Sequence, residues 1–164
     1  MLSKLVLLLI FTFGFGAVNV GEKAPSFYLR TLDNNKFFLS KEIEKGEPIL
    51  ISFFATWCKP CRDEHIYIKK FENEKKIKVI GINYKDDPEK AIQWLKKFGN
   101  PYSYVAIDKN GKIAIDWGVY GIPETFIINS NGIIKYRHVG PIIKKTYKKI
   151  NLIIKQNEYC LLYT

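Results

Sequence analysis

The chain has 164 residues, 47% of them hydrophobic and 15% aromatic, which is enough for one domain with a full core and too apolar for a disordered chain. Its formal net charge is +10, yet all 26 basic residues except Arg30, Arg62 and Arg137 are lysines, scattered along the sequence. Without an arginine–aromatic recognition pattern, that scatter excludes a nucleic-acid face and fits a solvated lysine-rich surface.

Leu2 to Val20 carries one charge, Lys4, and Leu5 to Gly21 is uncharged over 17 residues. Residues 1–20 therefore read as an export signal or an N-terminal membrane anchor. The run is at the lower length limit for a spanning helix, and Gly14, Gly16 and Ala17 are small enough for a cleavage site. Either way, the domain over 21–164 is expected on the periplasmic side of an inner membrane, or free in the periplasm, where disulfides persist.

Phe27 to Leu29 and Lys36 to Leu39 flank a turn at Asp33 to Asn35, the pattern of a β-hairpin. Ile49 to Ala55 is almost continuously apolar, as in a central strand buried on both faces. A helix opening at Cys58 and running to about Asn73 places Cys61, Glu64 or His65, Ile68 and Phe71 on one face. Lys78 to Tyr84 reads as a second buried strand. Asp87 then serves as N-cap for a helix starting at Pro88, with Ala91, Ile92, Leu95 and Phe98 at helical spacing before Gly99. Tyr102 to Ile107 follows as a strand. This alternation implies parallel pairing with crossovers. Gly121 to Ile128 and Ile133 to Val139 form an antiparallel hairpin around Asn131-Gly132, which predicts a type I′ turn. Pro141 begins a last helix in which Ile143, Tyr147, Ile150 and Ile154 share a face.

Trp57-Cys58-Lys59-Pro60-Cys61 carries the chemistry. Two cysteines three positions apart at a helix start can bond to each other, and the unpaired N–H groups and positive dipole end there favour a thiolate at Cys58. Cys58 is the nucleophile, expected to be the more exposed thiol, and Cys61 the resolving partner. A purely structural disulfide would close too short a loop to stabilise much. A zinc site using Cys58, Cys61 and His65 lacks a convincing fourth ligand beyond Cys160 or His138, and haem attachment needs histidine where Arg62 stands. No metal and no cofactor is expected. Cys160 is left over near the C-terminal end.

The order of elements resembles the thioredoxin fold: a mixed α/β sheet with helices on both faces, an N-terminal β-hairpin and a helix–strand insertion, here about Lys85 to Asp108. More selectively, GEKAPSF at 21–27, WCKPCRDEH at 57–65, GINYKD at 81–86, GVYGIPETF at 118–126 and NGIIKYRHVG at 131–140 resemble the cytochrome c biogenesis thiol:disulfide interchange proteins of the DsbE/CcmG type. They belong to the wider TlpA/ResA-like group. The dipeptide Lys59-Pro60 departs from the pattern and bears on the reduction potential.

The resemblance implies a cis bond before Pro123, with the Ile122 backbone free to pair with an extended substrate. It implies that Glu64 and Glu124 lie near the thiols, holding or taking the Cys61 proton and raising thiol pKa values by like-charge repulsion. Trp57 would be a packing and docking platform. The implied function is that of an extracytoplasmic thiol:disulfide oxidoreductase reducing cysteines of apocytochrome c or a haem-lyase component, itself re-reduced by a DsbD/CcdA-type membrane electron carrier. The alternatives are a general TlpA/ResA-like reductase with other clients and a non-catalytic apocytochrome- or metal-binding module.

Overall fold

A computed structural model of the protein describes residues 18–74 and 77–161, with side chains as far as residue 156. The expected export segment lies, through residue 17, outside the described residues, and so does the Cys160 side chain. Among the described residues no helix is long and apolar enough to cross a membrane.

The hairpin β1 (Tyr28–Arg30) and β2 (Lys36–Phe38) comes first, followed by the short helix α1 (Leu39–Ile43). Leu39 thus opens a helix instead of extending the strand, and its fully buried side chain anchors that turn in the core. Then come β3 (Ile49–Phe54), α2 (Lys59–Asn73), β4 (Lys78–Tyr84), α3 (Pro88–Phe98) and β5 (Tyr104–Asp108). The chain closes with α4 (Lys112–Asp116), β6 (Glu124–Ile128), β7 (Ile134–Val139) and α5 (Lys144–Leu161). The five-stranded sheet has the order β5-β4-β3-β6-β7, parallel across β5, β4 and β3 and antiparallel across β3, β6 and β7.

β3 is central and buried along its whole length. Its alternation divides the core into two layers, because successive side chains of a strand point to opposite faces. Ile49, Ile51 and Phe53 pack with Phe27, Phe37, Leu39, Trp117 and Phe126 beneath the N-terminal hairpin, α1 and α4. Leu50 and Phe54 pack with Ile68, Phe71, Trp94, Leu95, Ile150 and Ile154 beneath α2, α3 and α5. Val18 already belongs to the first layer, and the Gly21 N–H donates to the Ile134 carbonyl.

Four further details differ from the sequence reading. Trp94 joins Ala91 and Leu95 on the buried face of α3, while Ile92 is only partly covered. The one-turn helix α4 was too short to show a helical period. The β6–β7 loop spans 129–133, and only Gly132, at φ 77°, is left-handed. A type I′ turn needs two such residues. Here Asn129 Oδ1 instead accepts the Asn131 and Ile133 N–H groups and shapes a longer loop. Finally, Ile142 is buried and Ile143 exposed, because α5 begins only at Lys144.

Candidate active site

The thiols sit where β3 runs out. After Phe54 the chain turns through Ala55, and the Cys58 N–H donates to the Ala55 carbonyl at 3.2 Å. Cys58 is the N-cap of α2, with extended backbone at φ −85° and ψ 105°. Pro60 falls in the first helical turn, where its missing donor has no intrahelical partner to lose. Cys58 and Cys61 are joined by a disulfide of 2.04 Å, with Cα atoms 5.3 Å apart.

The Cys61 N–H points at Cys58 Sγ, 3.2 Å away. On reduction this is a charge-assisted hydrogen bond for a Cys58 thiolate, placed at the positive end of a 15-residue helix. The two cysteines are equally covered, at 4% and 3% exposure, so Cys58 is not the more open residue as expected. The cause is the Ile122–Pro123 loop, which joins through a cis peptide bond and brings the Ile122 carbonyl within 3.7 Å of Cys58 Sγ. In the disulfide that sulfur has no proton to donate; as a thiol it does. What distinguishes Cys58 is therefore its N-cap position.

Both acidic candidates are buried, at 1% exposure. Glu64 lies one turn beyond Cys61 on the covered face of α2, and its Oε2 accepts the Ile142 N–H at 2.8 Å. That single bond does not offset the loss of water, and burial pushes the Glu64 carboxyl up to about 8. Glu124 follows the cis-proline as the first residue of β6 and receives the Arg137 guanidinium through Nε. Burial still holds its pKa above the usual carboxylate range, against the lowering effect of Arg137.

Arg137 was legible only as a letter within a motif. It lies over the Phe126 ring and donates to the Gly118 carbonyl at 2.7 Å and to the Val18 carbonyl at 3.3 Å. It thereby ties Glu124 to the loop before the cis-proline and to the N-terminal residues. Two exposed aromatics complete the rim: Trp57, beside Cys58, and Tyr120, two residues before Ile122. His65 is turned elsewhere, its Nε2 hydrogen-bonded to the Gly99 carbonyl at 2.9 Å and its ring edge-on to Trp94. His138 Nε2 meets the Pro141 carbonyl at 3.2 Å.

A disulfide closed over one helical turn, with Cys58 Sγ facing the Ile122 carbonyl, opens and recloses by exchange with thiolates. The protein is a thiol:disulfide oxidoreductase of thioredoxin architecture. The Redoxin family model matches residues 19–152. The Escherichia coli thiol:disulfide interchange protein DsbE is 44% identical over 131 residues, 79% of this chain and 70% of that protein. CycY, a thiol:disulfide interchange protein of Rhizobium leguminosarum, is 48% identical over 97 residues, 59% of this chain and 52% of that protein. A crystal structure from Chlorobium tepidum, assigned as a thiol:disulfide interchange protein DsbE, superposes with a TM-score of 0.77 at 26% identity, covering 86% of this chain and 99% of that one. The chain belongs to the Redoxin family and, within it, to the DsbE-type thiol:disulfide interchange proteins.

Proposed function

We propose that this oxidoreductase works as an extracytoplasmic reductant that keeps the cysteines of apocytochrome c, or of a haem-lyase component, free for haem ligation. The observation that supports this reading is a pair of buried carboxyls: Glu64, one helical turn beyond Cys61, and Glu124, next to the cis-proline whose preceding carbonyl lies 3.7 Å from Cys58 Sγ. A strongly oxidising dithiol protein owes its potential to a stabilised thiolate in the reduced form. A carboxylate that ionises near the thiols opposes that stabilisation by like-charge repulsion, so the disulfide is favoured and electrons leave for the client. The likeness of the 118–126 stretch to cytochrome c biogenesis proteins supplies the client class.

In the catalytic cycle the Cys58 thiolate attacks one sulfur of the client disulfide. A Cys58–client bond forms and the other client sulfur leaves as a thiolate. Glu64, in the ionised form that grows as pH nears 8, takes the Cys61 proton, and the Cys61 thiolate attacks Cys58 Sγ. The Cys58–Cys61 bond closes, the second client sulfur leaves, and two electrons have passed to the client. Trp57 and the Ile122 backbone hold the client strand, with Pro123 as its wall. The N-terminal apolar segment exports or tethers the domain in the periplasm, where a DsbD/CcdA-type membrane carrier returns two electrons to the disulfide.

Replacing Cys58 by serine in the source cell is expected to lower c-type cytochromes, with recovery on adding a small thiol. Unchanged cytochromes would overturn the assignment. The client is read directly from the mixed disulfide that accumulates on Cys58 in a Cys61→Ala variant; capture of unrelated periplasmic proteins would favour the general reductase.

A further inference from the structure

The segment Gly81 to Asp86 has no part in the exchange steps, yet its far end grips the loop that carries the nucleophile. Thr56 and Trp57 lie between β3 and α2, where neither the strand ladder nor the helix offers them partners. Asp86, just beyond β4, does. Its Oδ2 accepts the Thr56 N–H at 2.6 Å and the Asn83 amide at 2.9 Å. Its Oδ1 accepts the Thr56 hydroxyl at 2.8 Å and the Asp87 N–H at 2.9 Å. Four donors converge on one half-buried carboxylate.

The preceding residues complete the grip. Lys85 stands at φ 45°, a left-handed conformation uncommon for a residue with a side chain, and its carbonyl accepts the Trp57 indole N–H at 3.3 Å. The Tyr84 ring lies 6.4 Å from the Trp57 indole. Room for this turn comes from Gly111, where a Cβ would come within 2.4 Å of the Lys85 side chain and 2.8 Å of the Tyr84 ring. Asn83 is fully buried beneath it.

We infer that Asp86 is a positioning residue for the exchange reaction: by clamping Thr56 it fixes the Trp57 indole and holds Cys58 at the α2 N-cap, in line with an incoming disulfide. The clamp joins two parallel neighbours, β3 and β4, across the end of the sheet where the thiols sit. Loosening it leaves both cysteines intact and able to bond, but lets Trp57 and the N-cap sulfur move. A small misplacement of reacting atoms is enough to cost rate.

The test uses the full chain with Cys160→Ser to remove the third thiol, and compares Asp86→Ala, Thr56→Val and Thr56→Ser. The first readout is the second-order rate constant for reaction of the reduced protein with oxidised glutathione. The second is the change in indole emission on reduction, assigned to Trp57 by its loss in Trp57→Phe. Asp86→Ala is expected to lower the rate about tenfold or more and to halve the emission change. Thr56→Val should do the same to a smaller degree, while Thr56→Ser, which keeps the hydroxyl donor, restores both to within about twofold. If Asp86→Ala fails to fold, the Val–Ser comparison at Thr56 decides. Equal behaviour of Val and Ser at Thr56, or a slowed Asp86→Ala with an unchanged Trp57 signal, overturns the inference.

Discussion

Replacing Glu64 by glutamine isolates the charge of a group that the fold has buried. The amide keeps an acceptor for the Ile142 N–H, so packing and the hydrogen bond are retained while titration is abolished. In the folded protein the Glu64 carboxyl is pushed up to about 8, against 4.5 for an ordinary glutamate. Between those two values the folded chain holds a proton that the unfolded chain has released, so stability falls as pH rises through the window. At about 1.36 kcal/mol per pH unit, the wild-type protein should lose about 5 kcal/mol relative to Glu64→Gln between pH 4.5 and 8. About 3 kcal/mol of that is gone by pH 7. This is a large fraction of the 5 to 15 kcal/mol typical of a domain, roughly speaking, and so is measurable. His65, whose pKa burial lowers, titrates alike in both proteins and cancels in the difference. Guanidinium midpoints of the two oxidised proteins at half-unit intervals of pH supply the test. The curves should diverge with rising pH, glutamine gaining. Parallel curves across the window would refute the reasoning.

Further expectations follow from the same packing. Arg137→Ala leaves Glu124 buried without its cation and removes the ties to Gly118 and Val18, and should cost about 3 to 5 kcal/mol by denaturant melting. Arg137→Lys keeps a charge but cannot span three acceptors, and should fall between; a loss under about 1 kcal/mol in the alanine variant would show Glu124 to be otherwise satisfied. At Gly81 an added methyl meets the Phe54 ring at 2.8 Å and the Tyr102 ring at 3.0 Å. Gly81→Ala should therefore destabilise by about 1 to 3 kcal/mol, whereas a neutral result would mean that those rings yield freely. Ile154 is buried on the inner face of α5, and Ile154→Ala should cost about 2 to 4 kcal/mol in the same melts if that helix is integral to the fold.

Much of this protein was written in its apolar spacing. β3, β4 and the α2 face of Cys61, Glu64, Ile68 and Phe71 were readable because burial on two faces, or on one helical stripe, leaves a strong period. Helices of five residues, α1 and α4, leave none. The Asn131-Gly132 turn misled because a neighbouring side chain, Asn129, supplied an acceptor that the local rule does not count. At the site, the dithiol was plain from its spacing and helix start. The burial of Glu64 and Glu124 was not, since a carboxylate in a sequence carries no sign of what will cover it. Nor was the reach of Arg137 and Asp86, whose partners lie 13 to 119 and up to 30 residues away.

In the proposed cycle Cys58 attacks and Cys61 resolves in the reduction of a haem-site disulfide. The reduced Cys61→Ala protein, mixed with a peptide whose Cys-x-x-Cys-His pair is oxidised, tests it by mass spectrometry of the product. A single mixed disulfide on Cys58 that the wild-type protein resolves to free peptide dithiol is the predicted result. Adduct on Cys160, or none at all, would contradict it.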